Sequence, residues 1–302
     1  MPPTIRRSAR QDSPIAKQIQ VLTADNLSAL PNLIHGFSTR SGGLSAAYGG
    51  AQLNLGFTPS DARETTQRNR RLFVQHATGR LRSLPPLITL RQIHSGLIRL
   101  LKVGDVLPDS PIAGDGLISN RRGVLLGVQV ADCVPVLVAD QRTGAVGAFH
   151  AGWRGTVKRI VECGVGSMRA GFGCRPRDLY AAIGPCIHAC CYSVGEEVVD
   201  AFTSQFVYGQ ELFSEVYNRD PVKDKYPLLF LTARAPGHSN IGPQTHLDLV
   251  AANRRQLLDS GISESRIWTA EQCTSCRTDL LFSHRAEAGC TGRMMGMVGF
   301  LD

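Results

Sequence analysis

VLLGVQVADCVPVLVAD (residues 124–140) is the stretch whose reading decides the fold. Val124 to Val130 and Val134 to Ala139 are apolar runs of strand length, rich in β-branched residues, on either side of Ala131-Asp132-Cys133. They read as buried strands. The longest apolar run nearby, Val124 to Ala131, falls far short of the ~20 residues that a membrane span needs. Ala145 to His150 is a further apolar strand and ends at Ala151-Gly152-Trp153-Arg154-Gly155. A helix then starts near Thr156, with Val157, Ile160, Val161, Val165 and Met168 on one face at helical spacing. A strand, a glycine-bearing turn and a helix together aim a side chain at the strand's carboxyl end.

Toward the N-terminus, Leu33 to Arg40 reads as a strand that runs into a turn at Ser41-Gly42-Gly43. A polar helix follows at about Asp61 to His76. Leu87 to His94 and Leu97 to Val103 flank a Ser95-Gly96 turn, and Asp115 to Ser119 is another short strand. Toward the C-terminus, Leu179 to Ile183 is a strand closed by Gly184-Pro185. Ser193-Val194-Gly195-Glu196 fits a capping box for a helix carrying Val198, Val199, Phe202 and Phe206. His238 to Thr245 reads as an irregular loop. Asp248 to Leu258 reads as a helix stopped by Gly261. Arg266 to Ala270 and Met297 to Leu301 complete the strands. No repeat or low-complexity block interrupts the pattern. The expectation is a mixed α/β fold in one domain over residues 21–302, preceded by a disordered tail over residues 1–20.

The 302 residues are 43% hydrophobic, ordinary for a globular protein. Lys and Arg number 33 against 25 Asp and Glu, a formal charge of +8. Such a balance suits nucleic acid or small anionic substrates. Aromatics are only 6%, and no RNP-like, zinc-finger or helix-turn-helix signature is present, so nucleic acid is not the expected partner. Arg6, Arg7, Arg10 and Lys17 are followed by no apolar h-region, which argues against a secretory signal. Nine cysteines without regular spacing then read as reduced thiols in a cytoplasmic protein with no membrane association.

Among eight histidines, His35, His76, His188, His238, His246 and His284 sit in chemically quiet surroundings. His94 and His150 differ, because each directly follows a strand-like run and precedes a glycine-bearing turn. Cys133 lies between two apolar strands, immediately after Asp132. These three residues, 39 and 17 positions apart, come from separate strands and meet only through the fold. Structural zinc sites usually take four ligands, often in closely spaced pairs, whereas catalytic sites take three and leave a position open. Each residue alone also fits a plainer role: a packed core thiol, or a hydrogen-bonded core imidazole. Spacing leaves both readings open. Asp132 could orient one of the imidazoles or cap a turn. Cys186, Cys190, Cys191, Cys273 and Cys276 could support a structural metal domain or interaction module, but pairs so far apart are a weak signal and are read as ordinary thiols. Cys276 has no assigned role.

The strings RQIHSG (91–96), DGLIS (115–119), ADCVPVLVAD (131–140) and HAGWRGT (150–156) resemble the YfiH/LACC1 family. GFSTRSGG (36–43), LNLG (53–56), NRR (69–71), AIGPCI (182–187), YSVGEEV (192–198) and HLDLVAANRRQL (246–257) fit the same pattern. So do CT (273–274), FSHR (282–285) and TGR (291–293). The match runs in order over nearly the whole chain from about residue 33. It implies a four-layer α/β/β/α fold and zinc held by His94, Cys133 and His150, which would also be the catalytic residues. The family was once described as polyphenol oxidases or laccases and is now associated with purine nucleosides. One position departs: family members often carry Tyr in the FSHR string where this chain has His284, which concerns a local substrate contact.

The resemblance further implies phosphorolysis of adenosine, inosine, guanosine and S-methyl-5′-thioadenosine, together with deamination of adenosine, in a monomer or homodimer. Zinc in such a site lowers the pKa of water to roughly 7, low enough for attack on C6 of adenine. Phosphorolysis needs a seat for phosphate, and Arg40, Arg154 and Arg293 each lie in or beside a family string. Arginine suits that contact because its planar fork pairs with two oxygens. Two rivals stand beside this reading. A copper phenol oxidase would need His-X-His pairs, which the chain lacks, so copper is the less fitting metal. A hydrolase or transferase with Cys133 as nucleophile would need no metal.

Overall fold

The structure is a computed structural model describing residues 18–79, 83–107, 110–217 and 243–302. The first half comprises β1 (Val21–Leu22), α1 (Asp25–Ser28), β2 (Leu33–Ser38), β3 (Ser41–Ser45), α2 (Arg63–Ala77), β4 (Leu87–Thr89), β5 (Ile98–Leu101) and β6 (Gly116–Ser119). Next come β7 (Leu125–Val130), β8 (Val134–Asp140), β9 (Ala145–Ala151), α3 (Trp153–Val157), α4 (Ile160–Phe172), β10 (Tyr180–Ile183) and α5 (Glu196–Gln205). The chain finishes with β11 (Phe213–Tyr217), β12 (Pro243–Leu247), α6 (Leu249–Asp259), β13 (Ile267–Thr269) and β14 (Met294–Phe300).

Every residue of β8 and β9 is buried, so these strands must be covered on both faces. They lie at the centre of a six-stranded sheet in the order β13-β10-β8-β9-β6-β5. A five-stranded sheet, β1-β2-β14-β7-β4, stacks against it. Alternation along β8 shows how. Leu137 and Ala139 point into a core shared with Phe37, Leu126, Val128 and Val298 of the other sheet. Val134, Val136 and Val138 point the opposite way, onto Ile160, Val161, Val165 and Met168 of α4 and onto Leu249, Ala252 and Leu257 around α6. Outside the five-stranded sheet, Phe73 and Val74 of α2 cover Leu125, Met295 and Met297. Helix, sheet, sheet, helix: this is the expected four-layer α/β/β/α single domain, and β11 with β12 forms a separate antiparallel ribbon.

Several local expectations are corrected. The helix beginning near Thr156 is two helices, because Arg159 takes a left-handed φ of 55° between α3 and α4. No capping box forms at α5. Gly195 is its N-cap, and the Ser193 hydroxyl instead accepts a hydrogen bond from Arg285. Ser41-Gly42-Gly43 belongs to a strand rather than a turn. Residues 243–245 of the expected loop pair with Val216 and its neighbours in β11, while 238–242 lie outside the described residues. The last strand begins at Met294, three positions earlier than expected. Residues 1–17 of the expected tail lie outside the described residues, whereas Ile19 already packs on the core and the Gln20 carbonyl accepts from Thr39. Asp248 does cap α6, accepting from the Ala251 amide at 2.8 Å, and Gly261 follows that helix at φ 90°. His35, on β2, accepts the Ala24 amide at 2.9 Å and so ties the start of α1 to the sheet. No helix among the described residues is long and apolar enough to cross a membrane.

Candidate metal centre

The stacked sheets bring His94, Cys133 and His150 together. His94 lies on the segment between β4 and β5, Cys133 directly before β8, and His150 near the end of β9. Their ligand atoms all fall within 4.8 Å of one another. Cys133 Sγ is 4.0 Å from His94 Nε2, and the two imidazoles meet edge to face with centroids 5.0 Å apart. His94 is exposed, Cys133 half-buried and His150 buried, so the cluster opens to one side. Two backbone features permit the approach. His94 and Asp132 both adopt positive φ, 55° and 88°, a region that costs non-glycine residues free energy. At Gly152 a Cβ would stand 2.9 Å from Cys133 Sγ and 3.2 Å from His94 Cδ2, so only glycine lets the turn after β9 pass.

The residue that orients this cluster is Asp115, at the head of the DGLIS string, and not Asp132. Its buried carboxylate meets His150 Nδ1 at 2.8 Å and leaves Nε2 as the nitrogen for a ligand. It also accepts the amides of Ile93, His94 and Ser95 and the Ser95 hydroxyl, which fixes the His94 turn. Asp132 serves the turn-capping role. Its carboxylate accepts the Thr274 hydroxyl at 2.6 Å, the Ser283 hydroxyl at 2.7 Å and the Arg285 amide at 2.6 Å.

The electrostatics follow from these contacts. Burial alone would push the Cys133 thiol up, but the charge of His150 and hydrogen bonds from both imidazoles outweigh it and bring the thiol down to about 6. Burial would likewise lower His150, yet the Cys133 thiolate and Asp115 raise it to about 9. Asp115 itself is held well below the carboxylate range, since bonds from His150 and Ser95 outweigh its burial. Without a metal, the pair is therefore a thiolate and an imidazolium near neutral pH. Two imidazoles and a low-pKa thiol make a donor set that suits zinc, with a coordination position left for a reactant.

A cleft of about 700 Å³ opens over the cluster, with Gln92, Gln129, Tyr192, His284 and Arg285 among its walls. Arg293 lines it, and Gly56 is needed there because a Cβ would meet the Arg293 side chain at 2.5 Å. Arg40 is not brought to the cleft. Its guanidinium is spent on Gln52, Glu287 and the carbonyls of Tyr48 and Thr278, and it packs over Phe282. Arg154 is exposed and stacks on Trp153 outside the cleft lining. Sequence reading missed Arg63, Arg70 and Arg91, which line the cleft, although Arg70 sits in the NRR string. Arg63 and Arg70 each stack 4.3 Å from the Phe57 ring. Burial and then the charge of Arg63 lower Arg70 to about 10, and its Nη2 is buried with no partner among the described residues. Elsewhere the cysteines read as ordinary thiols prove clustered: Cys190, Cys191, Cys273 and Cys276 place their sulfurs within 4.8 Å of one another. Cys186 stays apart in the core, its thiol pushed up by burial.

Comparison with known proteins agrees with this architecture. The family model described as multi-copper polyphenol oxidoreductase laccase matches residues 34–301. The purine nucleoside phosphorylase YlmD of Geobacillus stearothermophilus is 34% identical over 275 residues, covering 87% of this chain and 91% of the relative. A protein from an unknown prokaryotic organism, named adenosine deaminase RL5, is 30% identical and covers 86% of this chain and 91% of its own length. The crystal structure of the Bacillus licheniformis hypothetical protein YfiH superposes with a TM-score of 0.76 at 28% identity, over 94% of this chain and 99% of that one.

Proposed function

The chain belongs to the YfiH-type family described as multi-copper polyphenol oxidoreductase laccase, and from that premise we propose that it is a zinc-dependent purine nucleoside phosphorylase. The observation that carries this reading is the thiolate and imidazole cluster at the base of an arginine-lined cleft. His94, Cys133 and His150 would hold the zinc ion, which would supply Lewis acidity toward an oxygen nucleophile. The rest falls to the chain's own side chains. The cleft seats a purine nucleoside beside Tyr192 and His284, the latter in place of the family's tyrosine. Arg293 and the pair Arg63–Arg70 bind phosphate. An anion between two guanidiniums relieves their mutual repulsion and gives the orphaned Arg70 Nη2 an acceptor. Arg154, whose charge reaches Tyr192, is a contact at the rim. A phosphate oxygen then bonds to C1′ as the C1′–N9 bond breaks, giving ribose 1-phosphate and the free base.

Adenosine, inosine, guanosine and S-methyl-5′-thioadenosine are the proposed nucleosides. Adenosine deamination, in which water replaces the C6 amine and ammonia leaves, is the second activity, consistent with the deaminase relative. The protein acts as a cytoplasmic monomer or homodimer, without nucleic-acid or membrane partners. Incubation with adenosine, with and without phosphate, tests this by chromatography of adenine, inosine and hypoxanthine. Phosphate-dependent adenine is the expected product. No turnover of any purine nucleoside by zinc-loaded protein defeats the proposal.

The same geometry allows a second reading: Cys133 Sγ and the His150 ring, within 4.8 Å of each other, also describe a cysteine nucleophile and its base. Full activity after chelation, abolished by iodoacetamide, would select it. Copper phenol oxidation is less well supported. Among the described residues only one cluster contains histidine, and its three ligands suit a single ion rather than several coppers. Metal analysis separates the two, with stoichiometric copper and phenol oxidation overturning zinc.

A further inference from the structure

Cys190, Cys191, Cys273 and Cys276 play no part in the chemistry above, yet they are the tightest thiol grouping in the fold. Cys190 and Cys191 lie in the loop after β10, and Cys273 and Cys276 in the loop after β13. Cys190 and Cys276 are 86 positions apart in sequence, but their sulfurs are 3.6 Å apart. Cys191 and Cys276 are at 3.3 Å, and Cys190 and Cys191 at 3.7 Å. These separations are far too long for a disulfide, whose sulfurs lie about 2.05 Å apart. They are close to what one tetrahedral ion demands, since four Zn–S bonds of about 2.3 Å put the sulfurs roughly 3.8 Å from each other. A four-iron cluster would carry each thiolate on a different iron and spread them farther.

We propose that these four cysteines hold a second zinc ion, in a closed structural site distinct from the open cluster of the cleft. Four thiolates fill the tetrahedron, so no position remains for a reactant. Binding forms four metal–sulfur bonds and releases the thiol protons to solvent. At Cys273 the surroundings suit thiolate charge: the His188 amide donates to its Sγ at 3.4 Å, and the amides of Ser275 and Cys276 also donate to it. The backbone already joins the same two loops, through the bridge between Cys186 and Cys273 and the Thr274 amide on the Cys186 carbonyl.

The consequence reaches the cleft. Tyr192, a cleft wall, directly follows Cys191. Thr274, between the cysteines of the second pair, donates to Asp132, whose neighbour is Cys133. The ion therefore staples the two loops that back the cleft wall.

The test is metal content and coordination in three proteins purified without added metal. Wild type should carry two zinc ions per chain. The His94→Ala/His150→Ala protein, which leaves all four cysteines intact, should carry one, and its X-ray absorption should show sulfur neighbours only, at about 2.3 Å. Cys276→Ser should lose one of the wild type's two ions and melt at a lower temperature. The proposal is overturned if the double variant is metal-free or shows nitrogen neighbours, if Cys276→Ser keeps both ions, or if denaturing mass analysis finds these cysteines joined as disulfides. One ion in wild type with an all-sulfur shell would instead defeat zinc in the cleft and leave this site standing.

Discussion

Asp115 concentrates three jobs in one carboxylate: it fixes the His150 ring, pins the His94 turn through three amides, and lowers its own pKa in doing so. Asp115→Asn keeps one acceptor oxygen but replaces the other with a donor that cannot hold the same imidazole tautomer. Metal affinity at the cleft should fall about 10- to 100-fold, read by competition with a chromophoric chelator. The thiol offers a second measurement. Thiolate is the form that alkylates, so the rate for Cys133 in metal-free protein should rise through pH 6, well below the ~8.5 of an unfolded chain. An alkylation midpoint near 8.5 would refute the pairing with His150. The three residues that meet in the cluster were legible as candidates because each sits at a strand end inside a distinctive string. Asp115 was not: its partner is 35 positions away, whereas Asp132 looked apt only because it adjoins Cys133. A string also cannot show whether a guanidinium is free, and Arg40, whose donors are consumed by Gln52, Glu287 and two carbonyls, is the instance.

At the scale of elements, β2 and α1 are joined by a buried imidazole. Burial lowers His35 to about 4. The unfolded chain takes up this proton near pH 6.5 while the folded state refuses it until about pH 4. Between those values the unfolded state binds more protons, so stability should fall as pH drops, by up to about 1.4 kcal/mol per pH unit. His35→Gln should remove that slope from urea titrations over the same range. The long elements were readable since burial marks them residue by residue: β8 and β9 are apolar but for Asp140 and His150, and α6 carries its own cap and stop. The elements missed are those that neighbours create. β1 has two residues, α1 has four, and β3 contains two glycines, so none has a period long enough to detect. The break between α3 and α4 is equally silent, because apolar spacing continues across Arg159 while the backbone does not.

At the scale of the molecule, the layer between the sheets is the apolar core that both sheets share. Leu137, fully buried there, should cost roughly 2–5 kcal/mol when cut to alanine, seen as a lower urea midpoint with an unchanged slope. The two-sheet stack itself came from family resemblance, since runs such as 134–139 reveal that a strand is covered but not by what. Strand order carries a last consequence. In the five-stranded sheet β14 lies between β2 and β7, so residues 294–300 occupy its middle. A chain emerging from the ribosome amino end first must hold β2 and β7 apart, the edges that face β14 bare, until residues 294–300 have emerged. Ribosome-arrested chains in which Met294–Phe300 is missing or still inside the exit tunnel should stay open to protease and prone to aggregate, while a linker long enough to bring that strand out should make them resistant. The domain is thus made to wait, and chaperone demand during synthesis falls on the sheet whose strands carry none of the residues of the histidine–cysteine cluster.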